Sequence, residues 1–113
     1  MMTQPLTLNL VEGSLSIAFP VEAAQALKAE IALLLERLKV TTTGGARKAP
    51  QPSMEYRYMG DVFLEVFCNP NIWPTPFAAK VLITARDERI RITTEAELTR
   101  LVEDLNQYLE TVA

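Results

Sequence analysis

The chain contains no histidine and only one cysteine, Cys68. These two scarcities exclude more chemistry than any residue present supports. Without an imidazole there is no Ser-His or Cys-His nucleophile pair, no histidine-containing zinc site and no ordinary proton shuttle near neutral pH. One thiol makes neither an internal disulfide nor a four-cysteine zinc site, so a reducing compartment is the simpler expectation. Long apolar runs are missing as well. The longest, Ile31-Ala32-Leu33-Leu34-Leu35, falls far below the roughly 20 residues that span a bilayer. Met1-Met2-Thr3-Gln4-Pro5 has neither the positive charge nor the apolar stretch of a secretory leader. Excess charge is small, 11 basic against 14 acidic residues, which gives no global pull toward nucleic acid or an anionic membrane. The expectation is a cytoplasmic protein without membrane insertion, metal or cofactor. Catalysis would be left to carboxylate, Lys or Tyr chemistry, and no clustered acidic pair stands out for it, so the chain reads as not an enzyme.

What is present describes a globular domain. At 113 residues, 49% hydrophobic and 22% charged, the chain can bury one core without staples. Leu6, Leu8 and Leu10 alternate with polar residues, and the alternation resumes at Leu15, Ile17 and Phe19. A two-residue turn at Glu12-Gly13 would pair Leu10 with Leu15, Leu8 with Ile17 and Leu6 with Phe19. Pro20 opens a helix over residues 21–39, with Leu27, Ile31, Leu34 and Leu38 on one stripe. Leu33 and Leu35 widen that stripe beyond what one sheet needs, either as a broad buried face or as a helix that also meets a second subunit.

Residues 41–53, with Gly44-Gly45, Pro50 and Pro52, read as a flexible linker within a single domain spanning residues 1–113. Residues 61–67 form a strand, and Gly60 is either a turn or a bulge before it. Residues 79–85 and 89–93 make a hairpin about Asp87-Glu88, placing Ile83 opposite Ile92 and Ala85 opposite Ile90. Thr94-Glu95-Ala96-Glu97 matches a capping box for a final helix striped by Leu98, Leu101, Val102, Leu105 and Leu109. The order hairpin, helix, three or four strands, helix predicts an α+β two-layer sandwich, a mainly antiparallel sheet with two helices on one face.

Three features could carry function. The segment Phe67-Cys68-Asn69-Pro70-Asn71-Ile72-Trp73-Pro74-Thr75-Pro76-Phe77 holds three prolines and the only tryptophan. Its prolines restrict the backbone, and rigid aromatics lose little entropy on docking. It is either a plug closing the sheet or a protein-docking surface through Ile72, Trp73, Pro74 and Phe77. The stretch 61–83, and this segment above all, resembles small uncharacterised proteins of cyanobacteria; the likeness covers the C-terminal half and implies no activity. Second, Lys80, Arg86, Arg89 and Arg91 share the sheet face opposite Ile83 and Ile92, where they would hold an anionic ligand or RNA. An exposed charged face and an acidic chain weigh against nucleic acid. Third, the acidic last helix reads as a solvated face that could also meet a basic partner. The main expectation is a non-enzymatic protein-interaction module, a small subunit, adaptor, or assembly or regulatory factor, plausible as a homodimer.

Overall fold

The computed structural model describes residues 4–42 and 50–112. Its elements are β1 (Leu6–Asn9), β2 (Ser14–Ile17), α1 (Val21–Thr42), β3 (Met54–Tyr58), β4 (Phe63–Cys68), a single 3₁₀ turn (Pro70–Ile72), β5 (Lys80–Arg86), β6 (Arg91–Glu97) and α2 (Leu98–Val112). β1 and β2 form a two-stranded sheet; β3-β4-β5-β6 is an antiparallel meander. The fold is α+β.

One face of the meander is apolar. Met54 and Tyr56 of β3, Leu64, Val66 and Cys68 of β4, Val81, Ile83 and Ala85 of β5 and Ala96 of β6 are all buried. Against them lie Leu27, Ile31, Leu34 and Leu38 of α1 and Leu98, Leu101, Leu105 and Tyr108 of α2, in one continuous core. Burying each such Leu or Ile contributes about 1.5–3 kcal/mol. Two tyrosines bury their rings and still satisfy their hydroxyls: Tyr56 donates to Ala23 O at 2.9 Å, and Tyr108 donates to Phe19 O. The β1–β2 hairpin is not a further pair of strands in the meander. It is tied on through Val11 N to Glu95 O (3.0 Å), the edge-to-face Phe19–Tyr58 ring pair (5.0 Å), and Asp104. That carboxylate, buried on α2, accepts Asn9 N at 2.7 Å and Asn9 Nδ2 at 2.9 Å, with Arg100 Nε at 3.4 Å.

Several local expectations are corrected. In the first hairpin Leu8 faces Leu15 and Leu6 faces Ile17, two residues from the expected register. A two-residue type I′ turn would need positive φ at both Glu12 and Gly13. Only Gly13 takes it (φ 83°), so residues 10–13 form a four-residue turn closed by Leu10 N to Gly13 O at 2.9 Å. The β5–β6 hairpin shifts likewise, to Ile83 opposite Thr94 and Ala85 opposite Ile92. Its turn is residues 87–90, fixed because Asp87 Oδ1 accepts Arg89 N (2.7 Å) and Ile90 N (2.9 Å). Both shifts are by two residues, so no side chain changes face.

The capping box does not form. Residues 94–97 are the end of β6, paired with β5 up to Lys80–Glu97, and α2 begins at Leu98, whose N–H donates to Ala79 O at 3.0 Å. An N-cap is worth about 1 kcal/mol, less than several ladder hydrogen bonds plus burial of Ala96. Gly60 lies in the turn joining β3 to β4. A Cβ there would stand 2.4 Å from Tyr58 Oη, so the tyrosine ring occupies the space only glycine leaves. Of the expected linker, residues 41 and 42 belong to α1, and residues 43–49 lie outside the described residues.

Candidate functional site

The Pro/aromatic segment joins β4 to β5 at the end of the meander opposite the 59–62 and 87–90 turns. Its backbone is held by short polar side chains. Asn69 Oδ1 accepts Asn71 N at 3.0 Å and Asn71 Nδ2 at 2.9 Å, capping the 3₁₀ turn that Pro70 begins. Asn71 also reaches across to the chain entering β3: its Nδ2 donates to Gln51 O, and its Oδ1 accepts Gln51 N, both at 2.8 Å. That pair imitates a two-bond strand ladder. Thr75 then closes a second turn, its O and Oγ1 accepting Ala78 N at 3.2 and 3.1 Å. All the X-Pro bonds among the described residues are trans.

These turns divide the four candidate residues. Trp73 is half-buried and packs on the core. Among the described residues no well-formed hydrogen bond satisfies its buried indole N–H. It approaches the Cys68 sulfur closely enough to ease the thiol pKa down, but burial dominates and pushes that thiol up to about 11. Cys68 is therefore a protonated core residue at neutral pH, not a nucleophile. Ile72 (66%), Pro74 and Phe77 (80%) are exposed, Phe77 at the tip of the Thr75 turn. One aromatic anchors the loop while the other is displayed.

Three of the four cations, Lys80, Arg86 and Arg91, fall on the opposite face of the meander and do not converge, and Arg89, expected on that face, does not reach it. Arg86 and Arg91 are ladder partners, and Arg86 stacks over the Phe63 ring at 4.4 Å. Arg89 sits in the turn, and Lys80 lies at the far end of β5, opposite Glu97. Acids interleave with them. Arg57 is bridged to Glu65 at 2.7 Å and to Glu55 at 3.8 Å, and its pKa is raised mainly by the Glu65 hydrogen bond. An open concavity of about 460 Å³ between the two turns mixes Arg86 and Arg89 with Asp61, Asp87 and Glu88. Asp87 is held below its usual range by the Arg89 and Ile90 amides, which already occupy it.

Among the described residues there is no group of three potential metal-ligating side chains, and no helix is long and apolar enough to cross a membrane. Reading the sequence alone missed Asn69, Asn71 and Thr75, the residues that fix the loop. The Asn-Pro-Asn triplet was the available signal, since Asn before Pro starts turns. Compared with protein-family models, curated proteins and solved structures, the chain finds no match.

Proposed function

We propose that this protein is a non-enzymatic interaction module, a small subunit, adaptor or assembly factor. It docks on a protein partner through Ile72, Pro74 and Phe77, with the half-buried Trp73 as the anchor beneath them. One observation carries the reading: two large apolar side chains, Ile72 and Phe77, stand exposed on a loop whose backbone is pinned at Asn71–Gln51 and Thr75–Ala78. A mobile loop would lose conformational entropy on binding; this one has already lost it in folding. Aromatic side chains presented in this way are typical binding hot spots, and removing one costs about 2 kcal/mol or more of affinity. A cytoplasmic location belongs to the same proposal.

The test is affinity purification from the protein's own cells with wild type and with an Ile72→Ala/Phe77→Ala double variant. A partner recovered with wild type and reduced at least ~10-fold with the folded double variant is the expected result. Equal recovery by both would remove the loop from the interface.

A further inference from the structure

The exposed flank of α1 carries a second surface. We infer that it pairs antiparallel with α1 of a second copy of this chain, across a two-fold axis at Leu33. Ala26, Glu30, Leu33, Arg37 and Val40 recur at spacings of four, three, four and three, the seam of a two-helix coil. This seam is separate from the stripe Leu27-Ile31-Leu34-Leu38 that fills the core. Leu33 is 51% and Val40 48% exposed, and Ala26 is exposed beside them.

The charges select both occupant and orientation. Antiparallel pairing centred on Leu33 sets Ala26 opposite the partner's Val40, twice, and brings Glu30 to within one residue's rise, about 1.5 Å along the axis, of the partner's Arg37, twice. A parallel pair would oppose Glu30 to Glu30 and Arg37 to Arg37, which like charges disfavour. Both groups are open to such a partner. Among the described residues the Glu30 carboxylate has no ion pair or hydrogen bond, and Arg37 makes one long contact, 3.5 Å to Pro52 O. Small Ala26 leaves room for the partner's Val40, so the helices approach closely at both ends and meet on Leu33 at the middle. From residue 26 to 40 the seam runs about 21 Å. That is the small end of specific interfaces, so the dimer is weak, with Kd on the order of 10 µM.

The experiment is sedimentation equilibrium of the full chain from about 1 to 300 µM, a range that brackets such a Kd. A reversible dimer is expected. Leu33→Asp abolishes it while leaving the far-UV circular dichroism unchanged and lowering Tm by no more than a few degrees, because Leu33 lies outside the core and only helix propensity and the dimer's own stabilisation are lost. Glu30→Arg alone weakens the dimer at least ~10-fold, and Glu30→Arg with Arg37→Glu restores it, since the swapped charges face each other again. With oxidised glutathione, Leu33→Cys cross-links across the axis. Ala26→Cys does not, because its two copies stand about 20 Å apart. A monomer throughout the concentration range overturns the inference. So does a dimer indifferent to Leu33→Asp, or failure of the double charge swap to restore association.

Discussion

Trp73 and Phe77 are four residues apart in one loop, and the structure gives them opposite consequences on mutation. Trp73 is half-buried against the core, and among the described residues no well-formed hydrogen bond satisfies its buried indole N–H. Truncating a fully buried Trp to Ala costs about 3–5 kcal/mol. Half-burial lowers that, and deleting an unsatisfied donor returns some of the loss. Trp73→Ala is therefore expected to destabilise by about 2–3 kcal/mol, near 10 °C in Tm for a chain of this size. Trp73→Phe keeps most of the ring and removes the orphan N–H, so it should lie within about 1 kcal/mol of wild type. Phe77→Ala, at a site 80% exposed, should change stability by less than about 0.5 kcal/mol. Urea unfolding followed by far-UV circular dichroism measures all three. The reasoning is refuted if Trp73→Ala is neutral, if Trp73→Phe is as damaging as Trp73→Ala, or if Phe77→Ala is as damaging as either.

Other sites give further expectations. Asp104→Ala leaves Asn9 without its two charge-assisted acceptors and should cost about 2–4 kcal/mol, loosening β1 first, which amide hydrogen exchange of residues 6–9 would show. Gly60→Ala drives a Cβ into the Tyr58 ring and should destabilise by about 1–3 kcal/mol, whereas Gly60→Ala combined with Tyr58→Ala should lose no more than Tyr58→Ala alone. Burial, reinforced by Tyr58, pushes the Tyr56 phenol up to about 12 from an ordinary value of 10.0, so the folded state favours the neutral ring. That stability is whole below pH 10 and is lost as pH rises toward 12, up to roughly 2 kcal/mol; Tyr56→Phe should flatten this base limb in urea titrations. Asn71→Ala removes both bonds to Gln51 and should raise amide exchange in residues 69–72 while leaving the core amides unchanged.

Faces were legible in the sequence where pairings were not. Alternation in β1, β2, β4 and β5 and the Leu27-Ile31-Leu34-Leu38 stripe specify which side chains point inward, and a register shift of two residues preserves that. The turns were less legible because their geometry depends on particular atoms: the positive φ of Gly13, and the Asp87 carboxylate that takes two amides. Thr94-Glu95-Ala96-Glu97 has the residues of a capping box, but a seven-residue β5 beside it offers a ladder, and tertiary pairing overrides a local motif. Composition alone marks residues 67–77 as unusual. The division between a half-buried Trp73 and a displayed Phe77 was hidden, since the loop is pinned by a contact of Asn71 with Gln51, twenty residues back.

Hydroxyl-radical footprinting of the protein, free and in complex with its captured partner, tests docking through the loop most directly. The account predicts strong protection of Phe77 and Ile72 on binding, with little change at Leu82 and Arg86 on the exposed sheet face. Unchanged reactivity at Phe77 and Ile72, with protection at Leu82 and Arg86 instead, would contradict it and move the interface to the sheet.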